Sequence, residues 1–376
     1  RLSAKVPAPG SARHYAQIVK QNALMRRLDA AAKRIQQSVA ERDGEPTEMV
    51  EQAERLLFQV AHEDRTADFR ELHEEIDKLE ALSKGTADAT GTLSGFRQLD
   101  QITGGFQSGN LIVIAARPAM GKSSIVCNIA ENVALKQKRP VALFSLEMSE
   151  MELAHRFIAS QARIQGDKLR KGKVASRDWP KVVKACNTLE SAPLWIDDSS
   201  DLGMLELRAK ARRLHAQEKG RGSDGLGMVI VDYLQLMRSD DPRANRVEQV
   251  AQFSRGLKIL ARELDVPVIG ISQLSRAPEQ RPDKRPILSD LRESGAIEQD
   301  ADLVGFLYRD EYYNSESEEP GVAELIIAKH RNGPVGMVKL AFLAHYPKFA
   351  DLAREEQPVE QAAGEGPPIT GFAEEG

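Results

Sequence analysis

The sequence predicts an α/β protein in which helices surround a central, mostly parallel β-sheet, preceded by a helical segment. Between residues 92 and 352, short apolar runs alternate with helical patterns, which is the element order of a parallel sheet. One of these runs leads through a short loop into a helix that begins with Gly-Lys-Ser. The first 65 residues instead carry apolar side chains at helical spacing.

The N-terminal segment is predicted to be a helical hairpin. A first helix over residues 11–43 ends at Asp43-Gly44, and Pro46 is suited to the first turn of a second helix. A tight turn between two helices makes them antiparallel neighbours. A hairpin alone buries little apolar surface, so we expect its apolar faces to meet another copy of the chain.

A shorter apolar helix is predicted over residues 69–82, followed by a polar linker over 83–91. We interpret this helix as one that docks on a neighbouring subunit, and packing on its own domain is the alternative. The predicted organisation has four parts, which are a hairpin, a linker with the docking helix, a sheet domain and a disordered acidic tail with six glutamates: 1–65, 66–91, 92–354 and 355–376.

The sheet domain contains seven strand candidates: 111–115, 141–145, 194–197, 228–232, 268–272, 303–308 and 324–329. The first five are predicted to be buried strands with helices between them. The last two follow each other closely enough to suggest an antiparallel extension of the sheet.

Composition excludes several classes of protein. The chain has 376 residues, of which 41% are apolar and 29% charged, as in soluble globular proteins. A net charge of −4 neither indicates nor excludes nucleic-acid binding. The two cysteines, Cys127 and Cys186, form no motif for a disulfide framework or a zinc site. Without a signal peptide or an apolar run of about 18 residues, a cytoplasmic protein with no membrane contact is expected.

The strongest local signal is a phosphate-binding loop between the strand at 111–115 and a helix. Its context is that of a Walker A motif, in which amides at a helix N-terminus bind phosphates. Lys122 would bridge the β- and γ-phosphates of ATP, and Ser123 would bind Mg²⁺. Ala116 occupies a position that is usually glycine, which requires a negative φ there. The predicted nucleotide-binding residues are Ala116, Arg117, Pro118, Ala119, Met120, Gly121, Lys122, Ser123 and Ser124.

Three polar residues at strand ends are candidates for the chemistry. Asp232 follows four apolar residues, as in a Walker B strand that holds Mg²⁺, although an aspartate also ends strands for reasons of turn geometry. Glu147 follows the strand at 141–145 and could activate the attacking water, the alternative being a glutamate that starts a helix. Gln273 could hydrogen-bond the γ-phosphate or face solvent as an ordinary amide.

Beyond these motifs, the chain resembles the DnaB-type bacterial replicative helicases over most of its length. The similar stretches are 115–123, 144–149, 230–237, 271–276, 291–302, 308–311 and 328–334. The resemblance implies that Glu147 is the catalytic glutamate, Asp232 the Walker B aspartate and Gln273 the γ-phosphate sensor. It also implies that Lys329 and Arg331, on one face of a strand, enter the ATP site of the next subunit. A surface charge is the alternative for Arg331.

The same resemblance implies DNA-binding residues inside a ring. Arg292, Glu293 and Gly295 are expected to line the pore and hold the DNA backbone. Arg243 and Arg246 belong to a loop that is either a second pore loop or an ordinary solvated loop.

The sequence therefore predicts a hexameric, ATP- and Mg²⁺-dependent helicase that moves 5′ to 3′ on single-stranded DNA, with primase and a loader as partners. Members of the family carry a globular helical domain ahead of the hairpin, and the primase contact depends on it. A RecA-like DNA-binding ATPase that does not unwind, and a ring-forming ATP-binding scaffold, remain alternatives.

Overall fold

The computed structural model describes residues 12–41, 49, 53, 56, 57, 60, 91–239, 243–291 and 295–352. The chain divides into two compact units, residues 1–86 and 87–376. The predicted docking helix at 69–82, most of the linker at 83–91 and the tail at 355–376 lie outside the described residues. In the part of the chain that is described, no helix combines the length and the apolar character needed to cross a bilayer.

The first unit contains a long helix, α1, at Ala12–Glu41. The described positions between 49 and 60 are helical as well. Side chains from both helical segments, among them Ile35 and Leu56, line one cavity, so the two segments pack against each other. Val19 and Met25 of α1 are 63% and 64% exposed, so within this unit part of the apolar face of α1 is left uncovered.

The second unit alternates helices with strands, as the sequence predicts. Its helices are α2 (Arg97–Thr103), α3 (Lys122–Lys136), α4 (Glu150–Ala162), α5 (Gly166–Arg170), α6 (Trp179–Glu190), α7 (Met204–Gly220), α8 (Arg246–Leu264) and α9 (Gly295–Asp300). Its strands are β1 (Leu111–Ala116), β2 (Val141–Ser145), β3 (Leu194–Asp197), β4 (Met228–Asp232), β5 (Val268–Gln273), β6 (Leu303–Tyr308), β7 (Val322–His330), β8 (Gly336–Leu343) and β9 (Lys348–Asp351).

All nine strands form one sheet in the order β3-β2-β4-β5-β1-β6-β7-β8-β9. The pairs from β3 to β6 are parallel, and those from β6 to β9 are antiparallel. The predicted α/β class with a mostly parallel sheet is therefore confirmed. Three details differ from the prediction. The antiparallel extension starts at β7 rather than at β6. Strands β8 and β9 were not predicted. Strand β3 is a partly exposed edge strand, in which Trp195 is 36% exposed.

Alternate side chains of β1 pack on opposite faces of the sheet. Ile112 and Ile114 join a core with α3 and α4, whereas Val113 and Ala115 join a second core with α7 and α8. With helices on both faces, the accessible crevice of a parallel sheet lies beyond the carboxyl ends of its strands. The phosphate-loop residues, Glu147, Asp232 and Gln273 all lie at this edge, as described next.

Candidate nucleotide-binding site

The phosphate loop links the carboxyl end of β1 to the first turn of α3. Ala116 is buried, ends β1 and has no positive φ, which meets the condition that an alanine requires there. Ala119 has a φ of 66° and Gly121 a φ of 101°. A Cβ at Gly121 would lie 2.9 Å from Cζ of Phe349, so both the backbone and the close approach require glycine. The loop thus has one tightly fixed path into α3.

Lys122 opens α3, and its side chain already points into the site. The residue is only 8% exposed, and Nζ lies 4.8 Å from the centre of the Tyr233 ring. A ring face attracts an ammonium group by its quadrupole, more strongly where water is excluded. Because Tyr233 directly follows Asp232, this contact holds the ammonium group close to the predicted metal-binding carboxylate.

Asp232 ends β4 and is 3% exposed, with no hydrogen-bond partner for Oδ1. Burial raises the pKa of this carboxyl group, while the Ser123 hydrogen bond and the Lys122 charge oppose that shift. A buried carboxylate oxygen without a partner, next to a serine hydroxyl, offers the hard oxygen donors that Mg²⁺ prefers. The donor set therefore fits the magnesium site that the sequence predicts.

Glu147 lies on a tight turn just beyond β2. Ser145 is in register with Asp232, and the Leu146 amide donates to the Asp232 carbonyl at 2.7 Å. The Ser145 hydroxyl closes the turn through Met148, donating to its carbonyl at 2.7 Å and accepting from its amide at 3.1 Å. Helix α4 begins only at Glu150, behind the N-cap Ser149, so Glu147 lies outside the helix and is exposed. Its charge helps to raise the pKa of both Asp232 and Tyr233.

Gln273 is the last residue of β5 and is in register with Ala116 of β1. Its position places it beside the start of the phosphate loop, as the resemblance implies. Its backbone amide donates to Oε1 of Gln235 at 3.2 Å, so the main chain here is held by a neighbouring side chain.

Two arginines of the site were not predicted. Arg156 of α4 donates to the Ser124 hydroxyl at 2.9 Å, and its charge opposes the rise in the pKa of Asp232. The guanidinium of Arg309, just after β6, stacks 4.0 Å from the Phe342 ring centre and donates to the Ala119 carbonyl at 3.3 Å. Arg156 lies in none of the similar stretches, and Arg309 lies in the stretch 308–311 without a predicted role, because both contacts with the loop depend on the tertiary fold.

The side chain of the predicted loop member Arg117 contacts the segment after β5. Its guanidinium pairs with Glu279 at 2.8 Å and donates to the Leu274 carbonyl at 2.9 Å. These contacts tie the loop to the segment after β5, so the structure gives this side chain a bracing contact.

The structure does not bring Lys329 and Arg331 to the phosphate loop of their own chain. His330 pairs with Leu303, and Leu303 pairs with Ile112, near the amino-terminal end of β1. The loop starts beyond Ala116, about 13 Å further along the strand at 3.3 Å per residue. The prediction that both residues lie on one strand is wrong in one detail. Lys329 is in β7, but Arg331 lies in the turn just after it.

Both cations instead contact the carboxyl-terminal end of α9. Lys329 donates to the Glu298 carbonyl, and Arg331 donates to that of Gln299. An Arg331 nitrogen also lies 3.6 Å from Oδ1 of the buried Asp302. Burial lowers the pKa of Lys329, and the Arg331 charge lowers it further. Arg331 remains half exposed, so the pair forms a cationic group at the edge of the sheet opposite the phosphate loop, where the amino-terminal ends of the parallel strands lie.

The predicted DNA-binding residues are only partly described. Arg292 and Glu293 lie outside the described residues, whereas Gly295 is the first residue of α9 and has open space around it. Arg243 is exposed. Arg246 begins α8, where its guanidinium donates to Oε1 of Gln249 at 3.0 Å and to the Gln235 carbonyl.

Residues 91–351 match the family model of the DnaB-like helicase C-terminal domain. The chain is 44% identical to the replicative DNA helicase DnaB of Geobacillus stearothermophilus, over 94% of this chain and 78% of that protein. The chain belongs to the DnaB-like replicative DNA helicases. It is thus a member of a family of ATP-dependent helicases, and its sheet domain is their RecA-like ATPase domain.

Solved structures of this family agree with the fold. A DnaB-like replicative helicase, described together with its interactions with primase, superimposes with a TM-score of 0.76 at 37% identity, covering 94% of this chain and 82% of that one. A second solved structure, described as an ATPase domain, gives a TM-score of 0.71 at 41% identity, covering 76% of this chain and all of that domain.

Proposed function

We propose that copies of this helicase form a hexameric ring that hydrolyses ATP between subunits and moves 5′ to 3′ along single-stranded DNA. One observation carries the proposal. Lys329 and Arg331 lie at the opposite edge of the sheet from the phosphate loop of their own chain, by the register of β1, β6 and β7. A cation pair in that place can complete an ATP site only in a neighbouring copy that presents its loop to this edge.

In the proposed site, ATP is held at the amino-terminal end of α3. The backbone N–H groups within 116–124, of which Pro118 has none, and the Lys122 ammonium bind the phosphates, and the helix dipole adds to this attraction. Ser123 and Asp232 would hold Mg²⁺, which would neutralise part of the phosphate charge. Arg156 and Arg309, which contact the loop at Ser124 and Ala119, support its shape.

Glu147 is proposed as the general base. Its carboxylate accepts a proton from the attacking water as the new oxygen–phosphorus bond forms and the bond to ADP breaks. The closed turn from Ser145 to Met148 fixes its position next to Asp232. Gln273 donates to a γ-phosphate oxygen, so its contact is lost when the phosphate leaves.

Lys329 and Arg331 of the neighbouring copy supply the remaining positive charge at the transition state. An arginine provided in this way contributes about 10³–10⁵ in rate. Hydrolysis then requires contact between subunits, which is what lets a ring convert it into ordered movement. Repeated head-to-tail interfaces of this kind form a closed ring when the rotation from one subunit to the next adds up to a full turn.

The proposed DNA path runs through the ring, along Arg292, Glu293 and Gly295, with Arg243 and Arg246 as further contacts. A phosphate can pair with an arginine, and the backbone of a glycine allows close approach. Such contacts read no bases, so binding should be independent of sequence and should weaken as salt rises.

We further propose the division into a hairpin, a linker with a docking helix, a motor over 92–354 and an acidic tail. The docking helix at 69–82 would hold a neighbouring motor. Primase is proposed as a partner, as described for the similar structure, with the contact made through the globular helical domain that family members carry ahead of the hairpin. A loader is expected to place the ring on DNA at the fork.

A forked DNA duplex tests this proposal. The ring should release the strands of a fork that has both tails, and a duplex with only a 5′ tail should load it, whereas one with only a 3′ tail should not. Glu147→Gln serves as the matched control, because it should bind ATP and DNA but not unwind. DNA-stimulated ATP hydrolysis without strand separation would instead support a DNA-binding ATPase that does not unwind.

A further inference from the structure

One side-chain amide holds the main chain beside the phosphate loop. Gln235 lies in the short turn after β4, and its Oε1 accepts from the Gln273 amide at 3.2 Å. Its Nε2 donates to the Ser272 hydroxyl at 2.8 Å and to the Gln273 carbonyl at 3.3 Å. A backbone N–H can only donate, so this contact fixes which amide atom of Gln235 is the oxygen. The Gln235 side chain is therefore hydrogen-bonded to both the N–H and the carbonyl group of the Gln273 main chain.

The main chain of the same residue points toward α8. The Gln235 carbonyl accepts a hydrogen bond from the guanidinium of Arg246, which also donates to Oε1 of Gln249 at 3.0 Å. Asn245 caps α8 through a reciprocal bond with Glu248, so the backbone at Arg246 is fixed. An unbroken series of hydrogen bonds therefore joins Gln273, at the phosphate loop, to Arg246, at the start of α8.

We propose that Gln235 is a positioning residue that couples the nucleotide state sensed at Gln273 to the DNA contact of Arg246. This inference rests on the proposed function, in which Gln273 contacts the γ-phosphate and Arg246 contacts DNA. Gln235 itself touches neither ligand. Because its side chain grips the Gln273 main chain, a shift there moves the carbonyl that holds the guanidinium. Arg246 cannot direct the same N–H at both the carbonyl and a DNA phosphate.

Coupling of this kind is reciprocal, so two readouts should change together. The nucleotide should change DNA affinity, and by linkage DNA should change nucleotide affinity by the same factor. A contact that served only the stability of the fold would instead lower all activities together with the melting temperature. The ratio of DNA affinities in two nucleotide states therefore distinguishes a coupling residue from a structural one.

The test compares the wild-type chain with Gln235→Met and Gln249→Met. Methionine keeps an unbranched side chain of similar length but cannot hold the Gln273 main chain. Gln249→Met is the matched control, since it removes the side-chain acceptor of Arg246 but contacts neither Gln273 nor the Gln235 carbonyl. The affinity for fluorescent oligo(dT) is measured with a non-hydrolysable ATP analogue and with ADP, together with ATPase rates with and without the oligonucleotide.

We expect Gln235→Met to reduce the ratio of the two DNA affinities by about fivefold or more, and to lower the stimulation of ATPase by DNA. Its DNA-free ATPase rate and melting temperature should stay near the wild-type values, and Gln249→Met should keep the wild-type ratio. An unchanged ratio in Gln235→Met would overturn the coupling role alone, as would an equal loss in Gln249→Met. A wild-type chain that shows neither DNA binding nor stimulation would overturn the proposed function and this inference with it.

Discussion

The separation of Arg331 from its own phosphate loop leads to a complementation experiment. Lys122→Ala removes the cation proposed to bind phosphate in one subunit, and Arg331→Ala removes the cation that we propose this subunit offers to its neighbour. Each variant alone forms only defective sites, so each should lose a factor of about 10³ or more in turnover. A mixture of the two variants, however, contains interfaces at which both residues are present.

The expected recovery follows from counting interfaces. In an equal mixture that assembles at random, about a quarter of head-to-tail interfaces combine Lys122 from one subunit with Arg331 from the next. If both residues acted within one chain, no subunit in the mixture would hold both, and no site would be active. Steady-state ATP hydrolysis in the presence of single-stranded DNA, measured across mixing ratios, should rise to a maximum at equal amounts.

A second mixture provides the control. Wild type mixed equally with the double variant Lys122→Ala/Arg331→Ala also leaves about a quarter of the interfaces intact, but about half of the sites if they act within one chain. The two mixtures hold the same fraction of intact interfaces, so they should hydrolyse ATP at similar rates where each interface acts independently. If the second mixture runs at about half of the wild-type rate and the first stays inactive at every ratio, the shared-site reasoning is refuted.

Three further predictions concern the site within one subunit. Tyr233→Leu should weaken ATP binding about fivefold, since a cation–π contact with the half-buried Tyr233 ring contributes about 1 kcal/mol, whereas Tyr233→Phe should bind ATP as wild type does. Equal affinities of Tyr233→Leu and wild type in a fluorescent-nucleotide titration would contradict this. Gly121→Ala should abolish nucleotide binding and lower the melting temperature. Gly172→Ala is the control, because Gly172 has a φ of 64° but no atom lies within 4 Å of an added Cβ. It should lower the free energy of unfolding by only about 1 kcal/mol and keep nucleotide binding. Asp232→Asn should raise the melting temperature of the Mg²⁺-free protein, because it removes a buried carboxylate with an unpaired oxygen. The same substitution should abolish Mg²⁺-dependent turnover. A lower melting temperature would contradict the account.

The parallel half of the sheet was predictable because its strands are continuous apolar runs. Strands β2 and β4 occur at the predicted residues, because a strand that is buried on both faces consists almost entirely of apolar residues. Strands β8 and β9 are only partly buried and lie at the sheet edge, so their runs are mixed with polar residues. β3 shares the predicted bounds but is an edge strand, and edge position depends on strand order, which local patterns do not contain.

The site divides in the same way. The position of Glu147, Asp232 and Gln273 was predictable, because the carboxyl ends of parallel strands meet at one edge. Arg156 was not, since its contact with Ser124 joins residues on different helices. Nor does the sequence show that Arg331 rests on the carbonyl of Gln299 or that Gln235 links two elements, because such contacts depend on the packing of α8 and α9 against the sheet.

The most direct test of the central claim is the ATPase rate of the wild type and of Arg331→Ala, each with and without single-stranded DNA. A motor coupled between subunits predicts that DNA strongly stimulates the wild type and that this stimulated rate collapses in Arg331→Ala, while the nucleotide affinity remains. A rate that responds to neither DNA nor the loss of Arg331 would contradict the account and leave a nucleotide-binding ring without a motor.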